Sequence, residues 1–333
     1  MPIPLPGYAR LQLSWKPDDV YRVTTADGAT IALGRYLPRG GRRFAEGVVL
    51  AHGVAANRFD LDFDEKYSLA QALARRGFES WVLELRGRGV AGKPINATFD
   101  EEAEHDIGAA LKTVLSAGSL SVLWVGHSKG GLMAYAHLAR NPSAPIKAIA
   151  ALGTPATYPQ HKMVSAFLEY LGPFLSLKSI PLRPAARAGA LFGLPPGPIG
   201  GYLANADNMD PLVVKQAIYN VASDIPGGVA KQFARWVRND TFDGEDGFDY
   251  RKGMRAIVAP LLLVAGEKDL LAPIQSVRAA QDFVGGPSEL LVLNRANGFS
   301  HDYGHGDLML GRKAPDEVFP RVIAFLERHA TPT

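Results

Sequence analysis

Residues 121–131 constrain the fold of this chain more than any other stretch, and their sequence is SVLWVGHSKGG. The first half is apolar and rich in β-branched residues, which is typical of a buried strand. Gly126 interrupts this run, and residues 130–140 then have the pattern of a helix. Ser128 therefore lies at a sharp strand-to-helix turn, where small neighbours are needed because a Cβ would collide with the adjacent strand or helix. Such a turn exposes the serine hydroxyl and makes Ser128 a candidate nucleophile.

The pattern G-x-S-x-G is short, and the chain contains 35 glycines. A glycine-rich turn that happens to hold a serine is therefore the alternative interpretation. The two interpretations make different demands on the rest of the chain. A nucleophilic serine needs a histidine as general base, a carboxylate that orients this histidine, and backbone N–H groups that stabilise an oxyanion.

Strands and helices alternate along most of the chain, after an initial antiparallel hairpin whose turn contains Gly28. The predicted strands are residues 20–25, 30–37, 47–51, 80–85, the run before Gly126, 146–152, 260–265 and 289–293. The predicted helices are residues 67–76, 101–117, 130–140, 274–284 and 314–329. Buried strands that alternate with helices are typical of a mostly parallel sheet with helices on both faces, so we predict an α/β fold.

The alternation of strands and helices stops between residues 157 and 255, where helical patterns and a Pro/Gly-rich passage at 194–201 replace it. The strand–helix pattern resumes afterwards, which favours one domain with an insertion over two domains in series. We therefore predict a core formed by residues 1–156 and 256–333, with a helical cap or lid at 157–255.

The composition excludes several classes of protein. The net charge is only +3, and the basic residues are scattered without the aromatic interleaving of a nucleic-acid site, so we expect no nucleic-acid partner. The absence of cysteine excludes disulfides, thiolate metal sites and a cysteine nucleophile. We expect neither a cofactor nor a metal, and the oligomeric state stays open.

The first residues, MPIPLPGYARLQLSW, lack the basic start and apolar core of a signal peptide. No apolar run reaches the length of about 18 residues that a membrane span needs. We therefore expect a cytoplasmic protein without a transmembrane segment. The apolar run at 163–177 favours packing on the core and lining an acyl pocket, and transient contact of the cap with a membrane surface is the alternative.

The candidate acid is Asp269, which comes just after the predicted strand 260–265. Reactive groups in an open parallel sheet collect at the carboxyl ends of the strands. A carboxylate at this place can accept a hydrogen bond from an imidazole and fix its tautomer. Glu267 and Asp302 are the rival acids, and a turn or capping role is the alternative for Asp269.

The candidate general base is His305, in the loop FSHDYGHGD that follows the last strand. Glycines on both sides of His305 allow the ring to reach the hydroxyl of Ser128, which a general base must do. His301, in the same loop, is the rival and otherwise a supporting or surface residue. We expect the side chain of His127 to point away from Ser128, and His52 to shape its own loop.

Two backbone N–H groups are candidates for an oxyanion hole. The N–H of Lys129 lies at the start of the helix after Ser128, where the helix dipole favours negative charge. The N–H of Val54 follows His52 and Gly53 at the end of an early strand. Both groups would point at the charge that develops on a substrate oxygen.

Together these residues resemble the α/β-hydrolase fold over nearly the whole chain. The resemblance rests on GHSKG around Ser128, AHG at 51–53, Asp269 and His305 in the order serine, acid, histidine. The stretches LAHGVAANRFDLDF, ESWVLELRGRG and YGHGDLMLG resemble bacterial relatives of the acid-lipase group. The resemblance implies a catalytic triad of Ser128, Asp269 and His305. It also implies an oxyanion hole formed by the N–H groups of Val54 and Lys129.

Two residues depart from the family pattern. Lys129 replaces a more usual neutral residue after the nucleophile, and its ammonium group near the mouth of the site would favour anionic substrates. Glu84 occupies a position where aspartate is common before Arg-Gly, and we expect a structural role for it.

We therefore predict a serine hydrolase that cleaves carboxylic esters, with a small-molecule ester or a lipid as substrate, through an acyl-enzyme on Ser128. An acyltransferase or thioesterase with the same triad is the alternative, and a non-catalytic binding protein of the same fold is a further one. The candidate lining of an acyl pocket, with core packing as the alternative for each residue, consists of Phe167, Tyr170, Phe174, Phe233 and Trp236.

Overall fold

The structure, a computed structural model, describes residues 8–158, 172, 175–192 and 204–333. Its ten strands in chain order are β1 Asp19–Thr24, β2 Thr30–Tyr36, β3 Gly47–Ala51, β4 Glu79–Glu84, β5 Val122–His127, β6 Ile146–Leu152, β7 Ser179–Ile180, β8 Ile225–Pro226, β9 Leu261–Gly266 and β10 Ser288–Leu293. Strands β7 and β8 form a separate antiparallel pair, and the other eight form one sheet.

From β3 onward, helices mostly alternate with the strands. In chain order they are α1 Tyr8–Leu11, α2 Leu69–Arg75, α3 Phe99–Glu101, α4 Ile107–Ser116, α5 Lys129–Arg140, α6 Leu182–Phe192, α7 Pro211–Asn220, α8 Gly227–Asn239, α9 Tyr250–Gly253, α10 Ile274–Arg278, α11 Ala280–Phe283, α12 Asp307–Leu310, α13 Ala314–Glu317 and α14 Phe319–His329. The predicted helix at 101–117 is in fact α3 and α4 joined by a π-helical turn, Glu102–Asp106. The predicted helix at 274–284 is two short helices.

The eight-stranded sheet has the spatial order β1-β2-β4-β3-β5-β6-β9-β10. The pairs β1–β2 and β2–β4 are antiparallel, which confirms the predicted hairpin. All other pairs are parallel. The α/β class and the mostly parallel sheet are therefore confirmed.

Both faces of the sheet are covered by apolar packing. Along β3, Val49 and Ala51 belong to the core cluster on one face, and Val48 and Leu50 to the cluster on the other. Successive side chains of a strand point to opposite faces, so a strand buried on both sides must be apolar throughout. This explains why β3 and β5 are continuous apolar runs in the sequence.

Parallel pairing brings the carboxyl ends of six strands to one edge of the sheet. Each of β3, β4, β5, β6, β9 and β10 is followed there by a loop. The chain after β6 leaves the sheet and returns at β9, and these two strands are hydrogen-bonded neighbours. Between them the structure describes α6 to α9 and the β7–β8 pair.

Part of this intervening segment packs directly on the main core. Trp236, Phe242 and Tyr250 are buried in the same apolar cluster as Trp124 of β5. A smaller cluster, formed by Ile180, Ile225, Val229 and Ala230, lies elsewhere in the segment and contacts Val54 of the core.

Candidate active site

Ser128 has the backbone conformation that a sharp strand-to-helix turn requires. Its φ is 54° and its ψ is −117°, between β5 and α5. Positive φ is strained for a residue with a side chain and is concentrated at functional sites. A Cβ added at Gly126 would overlap the backbone of Gly130 and Gly131, and one added at Gly130 would overlap the carbonyl of Ala51. The glycines on both sides of Ser128 therefore have a steric cause.

Asp269 and His305 form a buried hydrogen-bonded pair. The Nδ1–H of His305 donates to Oδ2 of Asp269 at 2.7 Å. The other carboxylate oxygen accepts from the backbone N–H groups of Leu271 and Ala272, at 2.9 and 2.8 Å. These bonds fix the carboxylate, which in turn fixes the ring with Nε2 on the side away from Asp269.

The rival residues have other partners. Glu267 is exposed and accepts from the side chain of Asn294, and the Asp302 carboxylate accepts from the backbone N–H of Arg295. His301 is half-buried, with its Nδ1 2.9 Å from the hydroxyl of Ser300. Of the two histidines in the loop, His305 is the one paired with a carboxylate.

A buried carboxylate, Asp307, organises the loop that holds His305. Both of its oxygens accept from the backbone N–H of Gly304, at 2.9 and 3.0 Å. It also accepts from the backbone N–H of Asn205 and the side-chain amide of Asn208. Burial raises the pKa of Asp307 despite these donors. The loop is thus tied to the segment that leads into α7.

Gly153, just after β6, makes room for the pair of Asp269 and His305. It has a φ of 55°, and a Cβ there would lie 3.0 Å from Nδ1 of His305 and 3.2 Å from Oδ2 of Asp269. The sequence contained no signal for this position beyond a glycine after a strand. Sequence reasoning therefore missed Gly153 as part of the site.

The predicted oxyanion donors come from two separate loops near Ser128. Lys129 N–H is the first amide of α5, and Val54 N–H follows Gly53, where an added Cβ would lie 3.5 Å from Cβ of Ser128. Within the described part of the chain, neither amide donates to another group. Two free donors beside a serine at the start of a helix suit a developing negative charge.

His52 shapes the loop that carries Val54. It is completely buried, and its Nδ1 lies 2.9 Å from the carbonyl oxygen of Gly53. Its Nε2 accepts from the backbone N–H of Leu85 at 3.4 Å. Burial, with Arg88 and Lys129 nearby, lowers the pKa of His52 to about 3, so the ring is neutral. A neutral ring with these bonds carries its proton on Nδ1.

His127 packs against His305. Its ring centroid is 4.7 Å from that of His305, with 38° between the ring planes. Its Nδ1 lies 2.8 Å from Oδ2 of Asp60, and its Nε2 lies 3.2 Å from the carbonyl oxygen of His305. Asp60 also accepts from the backbone N–H of Gly53 at 2.9 Å. Sequence reasoning did not single out Asp60.

The expectation of a lysine ammonium at the mouth of the site is wrong. The side chain of Lys129 is fully buried, and its Nζ pairs with Glu102. Arg88 Nη1 pairs with the same carboxylate at 2.6 Å. Burial and the neighbouring Arg88 lower the pKa of Lys129 to about 8. This ammonium group cannot meet a substrate anion, because the helix turns it into the protein interior.

Glu84 has the structural environment expected for it. Its carboxylate is fully buried and pairs with the guanidinium of Arg58. It also accepts from the backbone N–H groups of Arg58 and Val90, at 3.2 and 3.4 Å. These bonds connect the loop after β3 to the loop after β4.

Of the five aromatic residues named as candidate pocket lining, Phe167, Tyr170 and Phe174 lie outside the described residues. Trp236 is completely buried against Phe99 and Phe242, and its N–H donates to the carbonyl oxygen of Asp243 at 2.8 Å, as the core-packing alternative expects. Phe233 is half-buried and contacts the same small cluster as Val54.

The described residues contain no group of three or more His, Cys, Asp or Glu side chains arranged to hold a metal ion. No helix among them is long and apolar enough to cross a membrane. The apolar run 163–177, for which transient membrane contact is the alternative, lies mostly outside the described residues.

Comparison with known proteins gives a consistent result. A family model described as alpha/beta hydrolase fold matches residues 47–304. Triacylglycerol lipase 1 of Arabidopsis thaliana is 26% identical, over 92% of this chain and 86% of its own. An esterase structure from Exiguobacterium antarcticum has a TM-score of 0.66 at 18% identity, covering 92% of this chain and 98% of that one. A monoacylglycerol lipase structure from Paleococcus ferrophilus has a TM-score of 0.61 at 18% identity, covering 90% and 99%.

Proposed function

Because the chain belongs to the α/β-hydrolase fold family, we propose that it is a carboxylic ester hydrolase in which Ser128 is the nucleophile. The observation that supports the proposal is the positive φ of Ser128, immediately before α5, together with the buried pair of Asp269 and His305. The ring of His127, the residue before Ser128, lies 4.7 Å from the ring of His305. The names of its relatives, lipases and esterases, support ester hydrolysis as the reaction.

The chemistry follows from the roles that the contacts allow. Nε2 of His305 takes the proton of the Ser128 hydroxyl as its oxygen attacks the ester carbonyl carbon. The resulting oxyanion accepts from the N–H groups of Val54 and Lys129. His305 then gives its proton to the departing alcohol, which leaves an acyl group on Ser128. Asp269 stabilises the imidazolium and holds its tautomer throughout.

Water completes the reaction by the same path. His305 removes a proton from a water molecule, and the hydroxide attacks the acyl carbon. Collapse of the second tetrahedral intermediate returns the proton to Ser128 and releases the carboxylic acid. No group outside the triad and the two backbone donors is needed to balance these steps.

The substrate class proposed is an acyl ester or a lipid-like ester. Phe233 supports an acyl pocket next to the oxyanion donors, because it packs against the same small apolar cluster as Val54. The remaining lining would come from Phe167, Tyr170 and Phe174 in a cap at 157–255, over a core of residues 1–156 and 256–333. Trp236 would support this wall from behind, since it packs against Phe233.

The decisive experiment measures hydrolysis of p-nitrophenyl esters from acetate to laurate by the wild type and by Ser128→Ala. We expect turnover by the wild type and a loss of about 10⁴-fold or more in the variant, because the nucleophile is gone. Circular dichroism of both proteins controls for folding. Retained activity in Ser128→Ala, or no turnover of any ester by the wild type, would contradict the proposal. Activity on acetate alone would contradict a lipid-like substrate.

The second candidate is acyl transfer, or hydrolysis of thioesters, by the same triad. The acyl-enzyme is common to all these reactions, and they differ only in the acceptor or the leaving group. Product analysis with an added alcohol acceptor, and an assay with an acyl thioester, separate them from ester hydrolysis. A binding protein without catalysis would leave Ser128 unlabelled by a fluorophosphonate.

A further inference from the structure

We propose that Asp60 and His127 form a buried ion pair that holds the oxyanion loop and His305 in place, with His127 as an imidazolium. The inference rests on the proposed function, since it assigns these two residues a positioning role for the triad. Neither residue is a member of the triad, and neither was expected from the sequence to take part in the site.

The first step is that one carboxylate oxygen joins two parts of the site. Oδ2 of Asp60 accepts from the backbone N–H of Gly53 at 2.9 Å and from Nδ1 of His127 at 2.8 Å. Gly53 precedes Val54, a proposed oxyanion donor, and His127 precedes the nucleophile. A shift of the Asp60 carboxylate would therefore move both sides of the oxyanion hole.

The second step is the charge of His127. A carbonyl oxygen only accepts, so the contact of Nε2 with the carbonyl oxygen of His305, at 3.2 Å, needs a proton on Nε2. The Asp60 carboxylate likewise needs a proton on Nδ1. A ring with protons on both nitrogens is an imidazolium.

The surroundings agree with this charge. Burial opposes it, but the charge of Asp60 and its hydrogen bond raise the pKa of His127 above its ordinary value. Burial would also raise the pKa of Asp60, yet His127 lowers it. Both side chains are nearly inaccessible, so each depends on the other to compensate its charge.

The third step is the effect on the base. The groups that face His127 are Asp60 after β3, Asp269 after β9 and His305 after β10. His52, which faces Asp60, is neutral. The ring of this cation lies 4.7 Å from the ring of His305, and its Nε2 lies 3.2 Å from the carbonyl oxygen of His305. The ion pair thus fixes the backbone of His305 and the packing of its ring.

The test combines two variants with a direct measurement of charge. His127→Gln keeps a donor near the His305 carbonyl but removes the cation that compensates the charge of Asp60. Asp60→Asn removes the anion, and His127 should then become neutral. The control is His137→Gln, another buried histidine that contacts a backbone carbonyl, that of Ala103.

In steady-state kinetics, we expect His127→Gln to lose about tenfold in kcat/KM, mainly through kcat, because the His305 backbone and the oxyanion loop lose their support. Asp60→Asn should lose a similar amount. His137→Gln should keep the wild-type kinetics. A loss in His127→Gln that appears only in KM, or an equal loss in His137→Gln, would indicate packing alone and would overturn the proposal.

¹⁵N NMR of the wild type at pH 6 reads the charge without any turnover. The chain has eight histidines, and the signal missing in His127→Gln identifies His127. We expect two protonated ring nitrogens in the wild type and one in Asp60→Asn. A neutral His127 in the wild type overturns the proposal. Failure of Ser128→Ala to abolish activity would instead strike the proposed function, so the two failures are distinguishable.

Discussion

The His305 ring owes its orientation to a chain of buried contacts. Asp269 holds Nδ1, and two backbone N–H groups hold Asp269. Asp307 fixes the loop around Gly304, and His127 meets the carbonyl oxygen of His305. As the proposed general base, His305 would need little reorganisation before it accepts a proton, and preorganised sites gain most of their rate in this way.

The two histidines of this loop give a prediction at the scale of single residues. His305→Ala should lower kcat/KM for a p-nitrophenyl ester by about 10⁴-fold or more, because it removes the proposed general base. His301→Ala should change it by less than about tenfold, since among the described residues His301 hydrogen-bonds only with the Ser300 hydroxyl. Steady-state kinetics of both variants decide. The opposite ranking would assign the base to His301.

The pairing of Asp269 with His305 could be predicted from sequence because each residue follows a recognisable strand. Asp60 and His127 could not be linked, because they are far apart in sequence and neither has a local pattern that names its partner. The Lys129 side chain was misjudged for a related reason. Its position after the nucleophile is local information, but its burial depends on Glu102, which comes from another helix.

At the scale of elements, the junction of β5 and α5 explains the glycine pattern. Helix α5 begins so close to β3 that a Cβ at Gly130 would overlap the Ala51 carbonyl. Gly130 therefore allows α5 to pack closely against β3. This packing sets the position of the first amide of α5, that of Lys129, relative to β3.

Gly130→Ala tests this packing. We expect it to displace α5, lower the denaturation midpoint and abolish ester hydrolysis. The matched control is Gly108→Ala in α4, where an added Cβ meets nothing within 4 Å. Alanine there should stabilise the protein by about 0.5–1 kcal/mol, because glycine is the poorer helix former. Urea denaturation measures both. A Gly130→Ala protein with wild-type stability and activity would refute the steric argument.

The π-helical turn between α3 and α4 shows what pattern analysis misses at this scale. The residues of this turn, EAEHD, have the composition of a solvent-exposed helical surface. In the structure Glu102 and Asp106 are buried, and they pair with cations from the loop after β4. Their partners Arg86 and Arg88 lie in a separate part of the chain. A charged helical stretch is predicted to be exposed as long as its buried cationic partners are not known.

At the scale of the whole molecule, a cluster of buried charged side chains lies at the start of α5. Arg88 and Lys129 share the carboxylate of Glu102, so the cluster contains two cations and one anion. Burial alone would raise the pKa of Glu102, but these two cations lower it to about 2. Removing one partner of such a cluster leaves a buried charge without compensation, which costs about 3–5 kcal/mol.

This cluster predicts how stability depends on pH. The lowered pKa of Glu102 means that its contribution is present above the pKa of the unfolded chain, about 4.3, and is lost as pH falls toward 2. Urea denaturation from pH 7 to pH 2.5 should show this loss. Glu102→Gln should be less stable by about 3–5 kcal/mol at pH 7 and should depend less on pH in the acidic range. The control, Lys129→Met, keeps the pair of Arg88 and Glu102.

We expect Lys129→Met to lower the free energy of unfolding less than Glu102→Gln does. The two variants remove opposite charges from one cluster, so the difference between their losses measures how much Glu102 compensates the two buried cations. Equal losses, or an acid profile that Glu102→Gln leaves unchanged, would mean that the cluster does not govern the acid response.

The pairing of β6 with β9 determines where this chain can accept insertions. The long segment between them starts and ends on adjacent hydrogen-bonded strands, so the sheet closes without any particular length of intervening chain. The entropy of closing a loop grows only slowly with its length. Insertions within this segment should therefore destabilise the sheet little. Trp236 and Tyr250 pack the end of the segment against the core. Asn205 and Asn208 of the same segment hold the loop of His305 through Asp307, so we expect insertions to be tolerated only away from these contacts.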